Sequence, residues 1–468
     1  MDALTRAVAH AETYLQTVAA RPVGPQTDLG ELRAALGGPL PGRPSDPTGV
    51  IDQLAIGADP GIVATAGPRY FGFVTGGSVP AALGADLLTS AWDQNAAFGV
   101  MSPAAAVVEE IAAGWILELL GLPSDASVGF VTGAQMANVT CLLAARHHVL
   151  DAVGWDDRAQ GLHNAPPVRV IVGDEAHVTV HVALRFIGLG APTVVIPTDD
   201  QGRMRPDLLA QELHRESGPT IVCAQAGNVN TGACDPLEPI SAACAAAGAW
   251  LHLDGAFGLW AAVAEDTRRL VAGADRADSW ATDGHKWLNV PYDCGIAITA
   301  HPTAHQATMA LTAAYLAPGA GLRDNSDWTP EASRRARGFT IWAAIRSLGR
   351  QGIADLVARN CALARRMADG LRSNAGVEIL NDVDLNQVLV RFVPADGGDP
   401  DAHTQAVIRR VQSDGVCWLG GTVWRGMHAM RISVSNWSTT EADADRSVEA
   451  ILAASTFVSG GRGRRPAR

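Results

Sequence analysis

A lysine between a histidine and a tryptophan distinguishes residues 278–295, which read DSWATDGHKWLNVPYDCG. Lys286 follows the turn-forming pair Asp283-Gly284 and comes directly after His285. A lysine amine forms a Schiff base with an aldehyde once its surroundings lower its pKa. A half-buried surface lysine beside a tryptophan would produce the same pentapeptide. The stretch therefore suggests an aldehyde-binding lysine whose partners have to come from the rest of the chain.

A second polar stretch, HLDGA at residues 252–256, places the carboxylate of Asp254 at the end of an apolar strand. Open α/β sheets bind their ligands at this end of the strands. A buried carboxylate needs a cationic or proton-donating partner, and a protonated pyridine nitrogen is one such group. Asp254 precedes Lys286 by 32 residues, which leaves room for a helix and a return strand between them.

Residues 130–138, FVTGAQMAN, predict a strand end, a turn of small residues and the start of a helix. The free N–H groups at a helix start bind anions, and the helix dipole helps them. A phosphate would lie against Gly133, Ala134 and Gln135. An ordinary βα turn has the same composition, so the turn alone leaves both interpretations open.

Other cofactor and ligand classes lack their motifs. The sequence contains no GxGxxG after a strand, no GxxxxGK[ST] and no HExxH. His147-His148 and the pair His177 and His181 have no carboxylate or cysteine companions at ligand spacing, so we predict no metal site. The net charge of −12 argues against a nucleic-acid-binding surface, which is normally basic.

The cysteines and the N-terminus bear on the compartment. Seven cysteines are scattered without a CxxC pair, which indicates reduced thiols and neither a disulfide framework nor a zinc site. The N-terminal residues carry charges where a signal peptide would have an apolar core, and no apolar stretch is long enough to span a bilayer. We therefore expect a cytoplasmic protein.

Strand and helix patterns alternate in the middle of the chain. Helical periodicity near residues 135–149, 178–187, 205–215 and 240–247 separates short apolar runs. These runs are typical of strands covered on both faces, and they lie at residues 128–131, 168–172, 193–196, 220–224, 250–253 and 294–299. The alternation predicts an α/β domain with a mainly parallel sheet.

Composition divides the chain into four segments. Residues 1–75 predict an N-terminal helix followed by an arm that is rich in proline and glycine and extended over residues 21–47. Residues 76–345 predict the large α/β domain, and residues 346–458 predict a smaller C-terminal α+β domain with short strands at residues 387–392 and 430–434. The basic, glycine-rich residues 459–468 predict a disordered tail.

Taken together, the motifs resemble those of the pyridoxal-phosphate-dependent group II amino acid decarboxylases, which include aromatic-amino-acid, histidine and glutamate decarboxylases. The resemblance runs from about Pro68 to Ile451, with TGAQMAN, GDEAH, AGNVNTGACDP, HLDGA and DGHKW in family order. It implies the aspartate-aminotransferase-like fold (type I) with a seven-stranded sheet, and pyridoxal phosphate as cofactor. It also implies an amino acid substrate and a homodimer with the active site at the subunit interface.

The resemblance also implies roles for single residues. Lys286 would carry the cofactor as a Schiff base, Asp254 would pair with its pyridine nitrogen, and Ala256 would pack under the ring. His177, in GDEAH, would stack on the ring and meet the substrate carboxylate.

The remaining cofactor contacts follow from the same resemblance. Gly133, Ala134 and Gln135 would bind the phosphate with help from His285. Asn228 stands where many relatives have a threonine near the cofactor, and it is expected to lie there too.

Tyr315, 29 residues after Lys286, resembles the tyrosine of the family's mobile catalytic loop. In the family this tyrosine delivers a proton to the carbanion left after loss of CO₂, whereas relatives with phenylalanine tend towards oxidative deamination to aldehydes. Tyrosine therefore favours α-decarboxylation to the amine. Residues 317–324 contain a proline and two glycines and suit a flexible lid.

The substrate stays open at this point. Residues 71–75, FGFVT, depart from aromatic-specific relatives, which have more aromatic residues there and a proline near the end. No arginine is assigned to a distal carboxylate. Alternatives are an aldehyde synthase, an aldolase-type lyase or another reaction at Cα. A non-enzymatic scaffold would have lost Lys286 or Asp254, and both are present.

Overall fold

The computed structural model describes residues 2–311 and 323–461 of the chain. Within them the chain forms two compact units. The larger comprises Gly76–Ala364 and Asn381–Val388, and the smaller comprises Met1–Thr75, Arg365–Leu380 and Leu389–Arg468. Of the predicted tail, Arg462 and the residues after it lie outside the described residues.

The smaller unit begins with three capped helices, α1 (Ala3–Thr17), α2 (Leu29–Leu36) and α3 (Pro47–Ala58). The extended conformation predicted for residues 21–47 is wrong over α2. The Asp28 side chain accepts the N–H groups of Gly30 and Glu31, and the Glu31 side chain accepts the N–H of Asp28 in return. This capping box starts a helix inside a segment that is otherwise rich in proline and glycine.

The larger unit alternates helices and strands. Its strands are β1 (Ser127–Val131), β2 (Arg169–Gly173), β3 (Val194–Ile196), β4 (Thr220–Gln225), β5 (Trp250–Asp254), β6 (Ser279–Asp283) and β7 (Gly295–Thr299). Its helices are α4 (Pro80–Trp92), α5 (Pro103–Leu120), α6 (Ala134–Asp151), α7 (Asp157–Gln160), α8 (Val178–Phe186), α9 (Pro206–Arg215), α10 (Leu237–Ala247) and α11 (Pro302–Met309). The long helix α12 (Gly338–Arg372) follows, with a break in helical geometry at Gly349.

The seven strands form one sheet in the order β1-β7-β6-β5-β4-β2-β3. The pairs β2–β3, β2–β4, β4–β5 and β5–β6 are parallel, and only β7 runs against its neighbours. The predicted mainly parallel α/β sheet is confirmed. Strand β6 is absent from the apolar runs of the sequence, but it is the return strand for which the spacing of Asp254 and Lys286 leaves room. Three short 3₁₀ turns between Gly258 and Arg276 lie where that spacing leaves room for a helix.

Burial explains why this sheet forms from such apolar runs. Every residue of β1, β2, β4, β5, β6 and β7 is buried, since helices cover both faces of the sheet. Helices α6 and α8 pack together over β2 and β4 through side chains that include Leu142, Ala183 and Leu184. The sheet is therefore a rigid support for the polar groups at its strand ends.

The smaller unit also contains a four-stranded sheet in the order β10-β11-β9-β8. Its strands are β8 (Val377–Ile379), β9 (Gln387–Phe392), β10 (Gly420–Trp424) and β11 (Met427–Ser433), with helices α13 (Pro400–Asp414) and α14 (Glu441–Gly461). The pattern predicted β9 and β11 but missed the short edge strands β8 and β10.

Two further observations concern the whole of the described chain. None of its helices combines the length and the apolar character that crossing a membrane requires. All seven cysteines are free and buried.

Candidate active site

Two parallel neighbouring strands bring the predicted lysine and aspartate to the same edge of the sheet. Strand β5 ends at Asp254 and β6 ends at Asp283, with Asp254 opposite Ala281 in the register. Lys286 follows three residues after the end of β6. The carboxyl ends of parallel strands are the usual ligand site of an open α/β sheet.

Lys286 is the only lysine among the 36 lysine and arginine residues of the sequence. An arginine cannot lose its proton in a protein, so only a lysine can supply a neutral, nucleophilic amine. The Nζ atom of Lys286 lies 2.8 Å from Oδ2 of Asp283, and the lysine side chain is 21% exposed. The chain has therefore placed its one lysine at a strand end, next to a buried carboxylate.

The main chain around Lys286 is tightly packed. A Cβ atom on Gly76 would lie 1.8 Å from the carbonyl oxygen of Lys286, so only a glycine fits there. The N–H of Gly284 donates to the carbonyl of Cys294, and the Asn289 side chain donates to the carbonyl of Trp287 at 2.9 Å. These contacts fix the position of the lysine loop.

The turn between β1 and α6 contacts the same loop. The Ala134 N–H donates to Oδ1 of Asp283 at 2.6 Å, and a Cβ atom on Gly133 would lie 3.3 Å from the His285 ring. The next N–H groups of α6, including that of Gln135, have no acceptor within their own helix. The turn thus offers N–H donors to an anion, although one of its donors already contacts a carboxylate.

His285 lies between this turn and the lysine. Its Nδ1 atom accepts the N–H of Cys294 at 3.1 Å, so the proton of a neutral ring is on Nε2, which lies 3.5 Å from Oδ1 of Asp283. Burial lowers the pKa of His285, against the opposing effect of Asp283. The exposed ring of Tyr292 lies against His285, with 4.3 Å between the ring centres and an angle of 30° between the ring planes.

Asp254 has a different environment. It is 5% exposed, and its carboxylate accepts the side-chain amide of Asn138 on Oδ2 and the N–H of Ala256 on Oδ1, each at 3.2 Å. Among the described residues, none of the lysine, arginine or histidine side chains lies within ion-pair distance of it. A buried carboxylate with neutral donors alone suits a cationic N–H group of a ligand.

His177 lines the same small cavity as Asp254, together with Gly173, Ala176 and Cys223. It precedes α8, and its Nδ1 atom lies 2.8 Å from the hydroxyl oxygen of Thr179. The structure therefore brings together two of the residues that the sequence motifs predicted.

Two other predicted residues shape the loops of the site. The carbonyl of Ala256 accepts the N–H of Asp283 at 3.0 Å and so joins the ends of β5 and β6. Asn228 is fully buried, and its side-chain oxygen accepts the N–H groups of Asn230 and Thr231. Its amide nitrogen lies 3.4 Å from the carbonyl of Glu175, in the segment that precedes His177.

Tyr315 lies outside the described residues. Three other polar residues belong to the site but were not singled out in the sequence, namely Asp283, Asn138 and His252. Two signals could have identified them: Asp283 and Asn138 occur inside the motifs DGHKW and TGAQMAN, and His252 shares a strand face with Asp254.

Comparison with known proteins identifies the family to which this site belongs. Residues 33–393 match the family model described as the pyridoxal-dependent decarboxylase conserved domain. The chain belongs to this family. It is similar to 4-hydroxyphenylacetaldehyde synthase of Rhodiola rosea, with 25% identity over 92% of this chain and 90% of the relative. Aromatic-L-amino-acid decarboxylase of Bacillus atrophaeus is also 25% identical, again over 92% of this chain and 90% of the relative.

Solved structures share the fold. The crystal structure of Oryza sativa TDC with PLP and tryptamine superimposes with a TM-score of 0.90 over 98% of this chain and 97% of that one, at 24% identity. The predicted type I fold is confirmed. The chain is thus an amino acid decarboxylase with pyridoxal phosphate as its cofactor.

The residues of this chain fit that cofactor. A lone lysine suits its aldehyde, the N-terminus of α6 with its N–H donors suits its phosphate, and the cation-free carboxylate of Asp254 suits its pyridine nitrogen. The fit depends on three groups of this chain: the amine of Lys286, the N–H groups at the start of α6 and the buried carboxylate of Asp254.

One cluster elsewhere has the composition of a metal site. Among the described residues, His147, Asp156 and Asp157 have potential ligand atoms within 4.8 Å of one another. Arg146 and His147 contact the Asp157 carboxylate at 2.8 and 2.7 Å, and Asp156 accepts the N–H of Arg158 at the start of α7. These contacts account for the cluster as a helix cap with an ion pair.

Proposed function

We propose that this decarboxylase converts an L-amino acid to its amine and CO₂, with Lys286 as the covalent attachment point of the cofactor. The observation that carries the proposal is the position of the chain's only lysine. It lies three residues beyond β6, next to the strand end of Asp254 and to the start of α6.

The bound cofactor supplies an electron-poor ring that accepts the electron pair left at Cα when CO₂ departs. Asp254 would hold the proton on the pyridine nitrogen and keep the ring electron-poor. Gly133, Ala134 and Gln135 would fix the phosphate, Ala256 would pack under the ring, and Asn228 would shape the loop beside it.

Other residues of the chain would act on the substrate. His177 would orient the carboxylate that leaves, since it lines the cavity beside Asp254. His285, which has its proton on Nε2 and has its ring edge beside Gly133, would donate to the phosphate. Tyr315 would return a proton to Cα on the product side, and a lid around it would exclude water during the reaction.

The attachment point has a decisive test. The purified protein should show a visible absorption band with pyridoxal phosphate, and borohydride should fix the cofactor on the one peptide that contains Lys286. Lys286→Ala should abolish both the band and the labelled peptide. A protein that stays colourless, or a label found only on the N-terminal amine, would refute the proposal.

The reaction type needs a separate assay. Amine production should exceed the formation of aldehyde and hydrogen peroxide for a panel of aromatic, acidic and diamino acid substrates. This comparison matters because an aldehyde synthase is among the relatives. Tyr315→Phe should lower amine formation and raise aldehyde formation, whereas unchanged amine formation would exclude Tyr315 as the proton donor.

We also infer a homodimer. The segment from α4 to the middle of α5 exposes large apolar side chains, which is typical of an interface: Leu87, Leu88, Trp92, Val100, Met101, Val107 and Ile111. The exposed Tyr292 beside His285 supports an interface at the active site. Val100→Asp should produce monomers in light scattering, whereas Phe186→Asp, at an equally exposed position on α8, should not.

We place the enzyme in the cytoplasm. Seven buried thiols without a disulfide are what a reducing compartment allows. Fractionation of the source cells with an antibody to the protein tests this, and recovery outside the cytoplasm would contradict it.

A further inference from the structure

Asn138 connects the two residues proposed to face the cofactor ring. It is fully buried on α6, one turn after Ala134. Its amide nitrogen lies 3.2 Å from Oδ2 of Asp254 and 3.4 Å from the hydroxyl oxygen of Thr179. That hydroxyl lies 2.8 Å from Nδ1 of His177. One side-chain amide is therefore linked to Asp254 directly and to His177 through a single hydroxyl.

A chain of buried side chains fixes which way this amide points. Nε2 of His252 lies 2.9 Å from the side-chain oxygen of Asn138, and Nδ1 of His252 lies 2.9 Å from the Ser279 hydroxyl oxygen. The same oxygen accepts the indole N–H of Trp250 at 2.9 Å. Histidine, serine and tryptophan thus form one continuous hydrogen-bonded series that ends at Asn138.

The direction of each hydrogen bond follows from both ends of the series. A carboxylate can only accept, so Asn138 turns its NH₂ group to Asp254 and its oxygen to His252. The neutral His252 ring then carries its proton on Nε2 and accepts the hydroxyl proton of Ser279 on Nδ1. An indole N–H can only donate, so the Ser279 oxygen accepts from Trp250. Every donor in the series points towards Asp254.

The hydrogen-bonded series from Trp250 to Asn138 contacts the Asp254 carboxylate without placing a positive charge beside it. Burial lowers the pKa of His252 to about 3, so its ring stays neutral at physiological pH. Neutral donors satisfy the hydrogen-bonding capacity of a buried carboxylate without neutralising it, so they leave the charge of Asp254 available to a cationic ligand. A lysine or arginine in the place of Asn138 would compete with that ligand.

We propose that Asn138 is a positioning residue of this decarboxylase, which holds the Asp254 carboxylate oriented towards the cofactor nitrogen and orients His177 through Thr179. The proposal rests on the function proposed above for Asp254. The hydrogen-bond series through His252 prevents the amide from turning its oxygen to the carboxylate.

The direct test replaces the donor with an acceptor of the same shape. Asn138→Asp places an oxygen against Oδ2 of Asp254, so the dissociation constant of pyridoxal phosphate should rise at least about tenfold, equal to about 1.4 kcal/mol. The pH midpoint of the visible band should also move. Thr140→Val is the matched control, because Thr140 is equally buried on α6 and its hydroxyl donates to the carbonyl of Met136 in its own helix.

A second pair of variants tests the orientation of the Asn138 side-chain amide. These variants also test the proposed role of Asn138 if Asn138→Asp does not fold. His252→Gln keeps an N–H donor near the position of Nε2, whereas His252→Phe fills the space without one. The glutamine variant should bind the cofactor with nearly wild-type affinity and the same pH midpoint. The phenylalanine variant should lose affinity by about tenfold and shift the midpoint.

The outcomes separate this proposal from the one on which it rests. Wild-type protein that forms no visible band refutes the function proposed for the site. Wild-type protein that forms the band, with Asn138→Asp equal to Thr140→Val in affinity and pH midpoint, refutes the role of Asn138 alone. If His252→Gln and His252→Phe change cofactor affinity and pH midpoint equally, His252 only fills space and does not orient the Asn138 amide.

Discussion

Asp254 and Asp283 are the same residue type at the ends of adjacent parallel strands, and both are almost fully buried. Their surroundings differ. The carboxylate of Asp283 contacts the Lys286 ammonium and the Ala134 N–H, so its charge is balanced inside the protein. Within the described residues, the Asp254 carboxylate accepts neutral N–H groups, from Asn138 and Ala256.

This difference shows how one residue type serves two purposes at one sheet edge. A carboxylate that is already paired with a cation holds parts of the site together, here the lysine loop and the α6 turn. A buried carboxylate with neutral partners keeps its charge for a ligand. The three predictions below test this division of roles, starting with the largest effect.

Asp254→Ala should have the largest effect. Removing one member of a buried ion pair costs about 3–5 kcal/mol, so kcat/KM should fall by about 10²- to 4 × 10³-fold because the cofactor nitrogen loses its counter-charge. Steady-state kinetics at saturating pyridoxal phosphate measures this. The free energy of unfolding without cofactor should change little or rise, since a buried charge is removed. A loss of activity below threefold would contradict the role given to Asp254.

Asp283→Asn should affect stability more than chemistry. The asparagine oxygen can still accept the Ala134 N–H, but the charge next to Lys286 is lost, so the free energy of unfolding should fall by about 1–3 kcal/mol. Urea denaturation measures this, and kcat/KM should fall less than in Asp254→Ala. A larger loss of kcat/KM than in Asp254→Ala would reverse the two roles.

His252→Gln should change how stability depends on pH. The pKa of His252 is about 3 in the folded protein and about 6.5 in an unfolded chain, so the unfolded state binds one more proton between these values. The free energy of unfolding therefore falls as the pH falls below about 6.5, by up to about 1.4 kcal/mol per pH unit from this residue. The variant should show a slope smaller by that amount between pH 6 and pH 5.

His305→Gln is the matched control for this measurement. Burial also lowers the pKa of His305 to about 3, but its ring contacts Ser127 and the carbonyl of Trp328 instead of the Asn138 series. It should show the same reduction in slope and leave cofactor affinity unchanged. An unaltered slope in both variants would contradict the neutral, buried state of these rings.

Much of the fold could be predicted because burial on both faces leaves a simple pattern. Strands β2 and β4 contain runs of three and four apolar residues, VIV and IVCA, and the helices between them are periodic. Strand β6 reads SWATD, with only two apolar residues in succession, so its sequence does not show the same pattern although all five residues are buried. Helix α2 was missed, because proline and glycine around it outweighed the capping pair Asp28 and Glu31.

The site was predicted where a residue type and its motif coincide, as for Lys286, Asp254 and His177. It was missed where a residue acts through a neighbour. Asn138 lies one turn into α6, and no local pattern reveals that its amide reaches a strand end 116 residues away. Such a contact depends on how α6 packs against β5, which only the folded chain shows.

The single lysine has a practical consequence for work on this enzyme. Reagents that acylate amines, such as dyes, cross-linkers and activated resins, can react only with Lys286 and the N-terminal amine. Pyridoxal phosphate on Lys286 would protect that position and leave the chain terminus as the one place for attachment. Holoenzyme could then be tethered to a surface in a uniform orientation, and labelling of Lys286 would count the molecules that lack cofactor.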